Sequence, residues 1–431
     1  MDAASATPSK HPWDLYTNPE RRWFLFLLFL VSLSSQLDLA VTAVLVEPIK
    51  KEFHATDAMM GGLTGFAFAA CYAIVALPAA RFSDRGDRRW VISLSIAVWS
   101  VMTVVSGFAR SFWALAAARV GVGVGEAGAG PASGSLIGDY YAPNRRAGAI
   151  AAGLISNAVG GGLAAILGAS IAEKYGWRSA FIAMGAPGLL LALLSFFGLS
   201  EPRRKIGAGP AAVEDASMLT TLRQLAAKPT FILLVVSLTL YTAMARGLGA
   251  WAPAYTMRTL GLSLTKMGAT IGLATTFATL VGTIGGGLFS DALASRDKRW
   301  LFWIPGLIML GSTPFWVYCF WTTNFSIFVW ILVGANVVLT ATFPALLSGL
   351  QLIVHSRQRA TSIAVVGFFT SLVGSGLGPL LTGAISDALT PMVGAQSLRY
   401  AMMATVLTLI PCGAATLACA RSVSGDLEDR F

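Results

Sequence analysis

Apolar segments of membrane-spanning length recur along the chain and are separated by short polar intervals. About twenty residues of helix cross the hydrocarbon core of a bilayer. Twelve segments approach or exceed that length, at residues 22–46, 58–80, 90–108, 111–138, 147–171, 178–199, 229–256, 265–290, 299–321, 325–353, 360–386 and 397–420. The pattern predicts an all-α integral membrane protein with twelve transmembrane helices.

The longest polar interval between these segments, residues 200–228, divides them into two sets of six. Within it, the apolar spacing of Met218–Leu225 predicts a short helix at the membrane interface. The expected domain organisation is an N-terminal tail at 1–21, a six-helix bundle at 22–199, a cytoplasmic linker at 200–228, a second six-helix bundle at 229–420 and a C-terminal tail at 421–431.

The two sets of six resemble each other in sequence. Arg-Phe-Ser-Asp at 81–84 closes the second segment and recurs as Leu-Phe-Ser-Asp at 288–291, which closes the eighth. Gly-Gly-Gly-Leu at 160–163 recurs at nearly the same offset as Gly-Ser-Gly-Leu at 374–377. This repeat predicts two pseudo-symmetric bundles with a site between them, as in the major facilitator fold.

Charge is scarce and unevenly distributed. Only 12% of the residues are charged, against about 25% in soluble proteins. Most lysines and arginines lie in the tails and in the loops of one side, which predicts cytoplasmic termini, with a bacterial inner membrane as the expected location. Topology explains the net charge of +10, so no nucleic-acid partner is expected.

No nucleophile–base pair, metal cluster or phosphate loop is recognisable in the sequence, so we expect no enzymatic activity and no cofactor. The expected coupling ion is the proton.

Ionisable residues inside the apolar segments are the candidate machinery, because each costs free energy in hydrocarbon and is expected to face an interior cavity. Arg119 and Glu126 share one face of the fourth segment, two helical turns apart. Three glycines between them allow a neighbouring helix to approach closely. Counting from the segment ends places Asp38 of the first segment at the level of Arg119, and Glu126 about 10 Å deeper.

We expect Asp38 and Glu126 each to take up and release a proton, with Arg119 as the partner that moves between them. Burial favours a protonated carboxyl group, whereas a nearby guanidinium favours an ionised one. The alternative is a permanent Asp38–Arg119 bridge that holds two helices together. The expected substrate-binding residues are Arg119, Glu126, Arg246, Tyr241, Asn157 and Asn336. Arg246 either binds an anionic headgroup or caps a gate between the halves. Each asparagine either lines the cavity or forms a hydrogen bond between helices.

The stretch Ala80-Arg-Phe-Ser-Asp84-Arg85-Gly-Asp87-Arg88-Arg89 resembles the loop 2–3 signature of the major facilitator superfamily, Gly-x-Leu-x-Asp-Arg-x-Gly-Arg-Arg/Lys. Ala80 and Asp87 stand where the signature has glycines. The resemblance implies a latch that joins the halves on the cytoplasmic side through charge pairs with neighbouring helix ends. The alternative is a basic loop that follows the positive-inside rule. The expected cytoplasmic gate comprises Asp84, Arg85, Arg88, Arg89, Asp139, Arg146 and Asp291.

A narrower resemblance covers roughly the first half of the chain. Leu37-Asp38-Leu-Ala-Val-Thr-Ala-Val-Leu45, Arg119…Gly125-Glu126-Ala127 and Ile137-Gly-Asp139-Tyr-Tyr141…Arg146 are similar to the spinster family. The resemblance implies that the Asp of the first segment and the Arg and Glu of the fourth serve proton coupling and substrate passage. It also implies lysophospholipids and sphingosine-1-phosphate-like lipids as substrates. Leu39 stands where an arginine commonly follows the aspartate, which removes one charge from the cavity.

These observations predict a monomeric, proton-coupled secondary transporter in the lipid bilayer that moves an amphipathic lipid such as a lysophospholipid by alternating access. One alternative is a transporter of a small organic anion or sugar acid, since Arg119 and Arg246 offer two cations for a carboxylate. Drug efflux is a second alternative, disfavoured because the fifth segment has no Gly-Pro signature. A non-transporting receptor or scaffold is the alternative from a different class.

Overall fold

The computed structural model describes residues 11–202, 218–295, 297–355 and 358–428, and this part of the chain is helical without any strand. The helices of the first half are α1 (Asn18–Val44), which a short helix Val46–Phe53 follows, α2 (Asp57–Gly61, a π turn Gly62–Phe66, and Ala67–Arg85), α3 (Arg88–Ser106), α4 (Phe112–Glu126 and Ala129–Tyr140), α5 (Arg146–Leu163, a π turn Ala164–Gly168, and Ala169–Tyr175) and α6 (Trp177–Gly198).

The second half begins after a short helix, Met218–Ala226, which lies where the interfacial helix is predicted. Residues 203–217 of the predicted linker lie outside the described residues. The helices of the second half are α7 (Pro229–Leu260), α8 (Leu264–Ala294), α9 (Trp300–Trp321), α10 (Phe325–Thr340 and Thr342–Ile353), α11 (Arg359–Phe369, a π segment Thr370–Leu377, and Gly378–Val393) and α12 (Ser397–Leu407 and Leu409–Glu428).

Ten stretches of the described residues are long and apolar enough to cross a membrane, judged by length and composition. One of them, Thr361–Leu427, holds both α11 and α12, which pack against each other across the turn at Gly394. The ten leave out α4, whose helix is interrupted at Ala127 and Gly128. The predicted fold class, an integral membrane protein of twelve helices, is confirmed.

The break in α4 follows the glycine-rich stretch that separates Arg119 from Glu126. Gly123 lies against the backbone of Phe68 in α2, where an added Cβ would come within 2.7 Å of the Phe68 carbonyl oxygen. Gly125 lies equally close to α3, where an added Cβ would come within 2.6 Å of the Trp99 nitrogen. The glycines therefore let α4 lie tightly between α2 and α3, and this close approach fixes the positions of the charged residues on α4.

The two halves meet through α2 against α11 and through α5 against α8. We call the end of the bundle that lies away from the termini the distal end. Where both partners are described, the hydrogen bonds and ion pairs between the halves lie in the middle of the bundle or at this end. At this distal end, the Arg258 guanidinium of α7 pairs with Glu47 at 2.6 Å and with Asp57 of α2 at 2.8 Å. Asp387 of α11 accepts the backbone N–H groups of Asp57 and Ala58 at 2.9 and 2.7 Å. The distal end is therefore closed.

Candidate functional site

Asp38 of α1 and Arg119 of α4 form a buried ion pair. Arg119 Nη1 donates to both Asp38 carboxylate oxygens, at 3.1 and 3.2 Å, and the two residues are 3% and 2% exposed. The hydroxyl of Thr103 in α3 also donates to Asp38. The Arg119 guanidinium lies 5.9 Å from the ring centre of Phe181 in α6. The two charges share one level, as the count along the helices predicts, and their bonds tie α1, α3 and α4 together.

Glu126 stands apart from this pair. Ser35 of α1 donates a hydrogen bond to Glu126 Oε2 at 2.9 Å, whereas Oε1 has no hydrogen-bond partner among the described residues. The residue is only 7% exposed. A buried carboxylate oxygen without a partner is costly, and such atoms call for an explanation in terms of a proton, a ligand or a movement. The three residues predicted to form one network are thus a closed ion pair and a separate carboxyl group.

Glu126 lines a pocket of about 350 Å³ formed by helices of the first half alone. The pocket extends from the level of Glu126 toward the end of the bundle that carries the termini, where Ile137 of α4 and Ile150 of α5 line it. Its polar lining consists of Ser32, Ser35, Tyr72, Glu126, Ser133 and Asn157. The rest of the lining is mainly apolar. The pocket therefore offers one carboxyl group at its deep end and an apolar channel leading away from it.

The other predicted substrate-binding residues occupy different environments. Asn157 lines the pocket. Arg246 of α7 is exposed although it lies within a membrane-spanning helix, and its charge interacts with that of Glu126. Tyr241 is buried in the core of the second half, with its ring 5.7 Å from that of Phe343. Asn336 is partly buried and does not line the pocket.

The predicted cytoplasmic gate is centred on Arg88, the first residue of α3, and its described partners lie in the first half of the chain. Arg88 Nη2 pairs with Asp139 of α4 at 2.6 Å and with Glu201, which also accepts Arg88 Nε at 3.1 Å. Arg146 donates to the backbone oxygens of Tyr141 and Gly138 at 3.0 and 2.7 Å.

These bonds connect α3 to the end of α4 and to the residues after α6, rather than one half to the other. The signature stretch is also less of a loop than predicted, because α2 continues to Arg85 and α3 starts at Arg88. Arg89 pairs with Asp87 at 3.4 Å, so it too bonds within the stretch. The side chains of Asp84, Arg85 and Asp291 lie outside the described part of the chain.

The charged cluster at the distal end is a group that sequence reasoning missed. Asp57 accepts Lys50 Nζ at 2.5 Å in addition to its bonds to Arg258, and Ser386 of α11 donates to it at 2.7 Å. A sequence signal was present: Lys50 and Arg258 are cations on the side where the positive-inside rule predicts few. Such residues are expected to have a specific partner, and both bind Asp57.

Comparison with known proteins places the chain in a family. A model described as Major Facilitator Superfamily matches residues 28–379. An "MFS-type efflux pump" of Mycolicibacterium smegmatis is 33% identical over 399 residues, which cover 92% of each protein. The zebrafish "Protein spinster homolog 3" is 28% identical over 86% of this chain and 78% of that protein. The zebrafish "Sphingosine-1-phosphate transporter SPNS2" is 26% identical over 88% of this chain and 80% of that protein.

Solved structures agree with this placement. A crystal structure described as a bacterial homolog to the human lysosomal transporter spinster, in an inward-facing and unoccupied conformation, matches with a TM-score of 0.87 and 30% identity. The match covers 95% of this chain and 99% of that one. The chain is a spinster-like member of the major facilitator superfamily. Accordingly, this spinster-like protein is an integral membrane transporter rather than an enzyme.

Proposed function

We propose that this spinster-like transporter is proton-coupled and moves an amphipathic lipid, such as a lysophospholipid, by alternating access. The observation that carries the proposal is Glu126, a carboxyl group deep within the helices. It is almost fully buried, one of its oxygens has no hydrogen-bond partner in the described part of the chain, and it lines a pocket. Ionisable groups at this depth are expensive, and they are typical of proton relays and substrate pathways.

Asp38 and Arg119 complete the proposed protonation and gating network. In the present conformation their charges neutralise each other, so Glu126 is the carboxyl group that faces the pocket. Protonation of Asp38 removes the charge that holds Arg119, and the freed guanidinium then has Glu126, two turns along the same helix, as its next partner. The alternative, a permanent bridge, predicts that Asp38→Asn lowers stability without changing the pH dependence of transport.

The shape of the pocket supports an amphipathic substrate. Leu25, Phe29, Ile150 and Leu154 give its walls an aliphatic and aromatic surface, which suits an acyl chain, while the polar side chains lie at intervals along it. Because the distal end is closed, a pocket that extends toward the termini is accessible from that side. With the termini cytoplasmic, as the charge distribution predicts, this conformation takes up or releases substrate at the cytoplasmic face.

Export of a drug-like molecule is a second candidate, favoured by one observation. The Mycolicibacterium smegmatis relative, 33% identical over 92% of this chain, is named an efflux pump. Transport of a small organic anion has less support, because Arg119, one of its two expected cations, is already bonded to Asp38.

The experiment is uptake of a lysophospholipid panel into proteoliposomes, with and without an imposed pH gradient. We expect the gradient to drive accumulation by the unmodified protein. Glu126→Gln is expected to reduce the gradient-driven part by about tenfold or more, the effect of losing an interaction worth ~1.4 kcal/mol. Glu52→Gln serves as the control, because it removes a carboxylate that lies outside the pocket and pairs with Arg178. Full gradient-driven uptake by Glu126→Gln would contradict the proposal.

A further inference from the structure

The chain before α1 forms a single helical turn, Pro12–Leu15, that packs against the second piece of α4. Its Trp13 also contacts two other helices. The Trp13 backbone oxygen accepts a hydrogen bond from Arg21 Nη2 of α1 at 2.5 Å, and the Arg146 guanidinium of α5 lies 5.7 Å from the centre of the Trp13 ring. One short turn therefore contacts α1, α4 and α5, three of the helices that line the pocket.

These contacts lie at the end of the pocket nearer the termini. Each of three lining residues has a neighbour four positions closer to that end: Leu25 has Arg21, Ile137 has Tyr141 and Ile150 has Arg146. Residues four apart lie on one face of a helix, about 6 Å apart along its axis. The Tyr141 hydroxyl donates to the Arg21 backbone oxygen at 2.9 Å, and Arg146 Nε donates to the Tyr141 backbone oxygen at 3.0 Å. The three neighbours thus form a connected row across the end of the pocket, and Trp13 binds both ends of this row.

Tyr16 holds the segment more firmly than Trp13 does. It is 4% exposed, and its ring stacks on that of Tyr140 with 3.9 Å between the ring centres. Tyr140 stacks in turn on Phe24 of α1 at 3.9 Å, and all three belong to the hydrophobic core of the first half. Trp13 is only partly buried and is held by one hydrogen bond and one cation–π contact. Weakly held segments open locally while the core stays folded, so Trp13 is able to detach while Tyr16 remains in place.

We propose that Pro12–Tyr16 is a strap that controls access to the pocket. With Trp13 bound, the strap holds α1 and α5 together at the end of the pocket. With Trp13 released, these helix ends separate and a bulky amphipathic molecule passes between them. The inference goes beyond the proposed function, because it concerns entry and exit rather than proton coupling at Glu126, and it applies to any amphipathic substrate of this pocket.

The test measures how fast a cysteine in the pocket reacts in the purified full-length protein. Ser133→Cys, in a background with the native cysteines replaced, places a thiol on the pocket wall. The probe is N-(1-pyrenyl)maleimide, which is bulky and apolar. We expect Trp13→Ala to accelerate labelling about two- to fivefold, the factor that corresponds to a lost cation–π contact. N-ethylmaleimide is much smaller and should gain less. Trp13→Phe keeps an aromatic ring beside Arg146 and should stay close to the original rate.

Trp113→Ala is the matched control, because it removes the same kind of side chain from an exposed position at the distal end. It should leave the labelling rate of the pocket thiol unchanged. A thiol at Thr323, also exposed at the distal end, reports general changes in reactivity and should respond to neither variant. Equal rates for Trp13→Ala and Trp113→Ala at the pocket thiol would overturn the inference.

A distance measurement tests the proposed movement of the helices. Arg22 of α1 and Arg145, which directly precedes α5, are both exposed and suit spin labels. Trp13→Ala should extend the distribution of label distances to longer values, whereas Trp113→Ala should not. Longer distances without faster labelling of the pocket thiol would show that the strap positions the helices without controlling access, which would also overturn the inference.

These results are separable from those that test the proposed function. Glu126→Gln leaves the strap and its contacts intact, so the acceleration by Trp13→Ala should persist in that background whether or not uptake follows the pH gradient. Loss of the acceleration in Glu126→Gln would tie access to the carboxyl group and would contradict an independent strap.

Discussion

The two ends of the helical bundle use charge in opposite ways. At the distal end, Arg258 of the second half bonds to Glu47 and Asp57 of the first, so ion pairs cross between the halves. At the end with the termini, the described ion-pair partners of Arg88 are Asp139 and Glu201, so these bonds lie within one half. Buried ion pairs of similar geometry therefore have different effects on the two gates. A pair that joins the two halves stabilises the closed gate, whereas a pair within one half does not.

The predictions below rank substitutions by their expected effect on the equilibrium between closed and open distal ends. The common measurement is the distance between spin labels at Lys51 and Thr323, which are exposed at the distal end of the first and second half, in a background with the native cysteines replaced.

Arg258→Gln is expected to have the largest effect. It removes the charge that Glu47 and Asp57 share, and Asp57 is only 2% exposed. Breaking a buried pair by removing one partner costs about 3–5 kcal/mol, and this cost falls on the distal-closed state alone. The label distance should shift to longer values in most molecules. An unchanged distance distribution would show that the cluster does not hold the gate.

Gly61→Ala is expected to have the next largest effect. Gly61 of α2 lies against α11, where an added Cβ would come within 2.3 Å of the Pro379 carbonyl oxygen. Overpacking of this kind costs about 1–3 kcal/mol, so the distal-closed state should lose population. Gly134→Ala is the matched control, because an added Cβ there meets nothing within 4 Å. Equal responses of the two variants would rule out the steric account.

Lys50→Gln should have a small effect. Lys50 pairs with Asp57 from within the same half, and its side chain is 28% exposed. Partly exposed pairs contribute about 0.2–1 kcal/mol, and Arg258 continues to neutralise Asp57. A shift as large as that of Arg258→Gln would mean that the net charge at Asp57, rather than the connection between the halves, controls the gate.

Arg88→Gln should leave the label distance unchanged while lowering stability. It removes one partner of Glu201, which is buried, and it also breaks the bond from Arg88 Nη1 to Ser135 at 2.8 Å. The loss is expected to be about 3–5 kcal/mol in unfolding free energy, visible as a lower melting temperature. A clear opening or closing of the distal end in this variant would contradict the contrast between the two ends.

Much of the fold follows from one-dimensional patterns. Segment length and hydropathy predict the spans because the bilayer imposes a fixed thickness on every crossing helix. The contact between Asp38 and Arg119 was also predictable, because antiparallel helices with a known rise place residues at calculable depths. The close approach at Gly123 and Gly125 follows from the absence of side chains there.

Features that depend on how helices rotate against one another could not be predicted in this way. Tyr241 and Arg246 are five residues apart on α7, and packing of the second half buries the first and exposes the second. The hydrogen bond from Ser35 to Glu126 likewise depends on how α1 is rotated against α4. The distal cluster required knowing that the halves meet there, which a sequence pattern within either half does not reveal.

The measurement that tests the central role of Glu126 most directly is the pH dependence of the label distance between Lys51 and Thr323, compared between the unmodified protein and Glu126→Gln. We predict that the unmodified protein changes its balance of closed and open distal ends between mildly acidic and mildly alkaline pH. Glu126→Gln, which mimics the protonated carboxyl, should keep one distribution throughout. An undiminished pH response in Glu126→Gln would show that protonation of another group drives the transition.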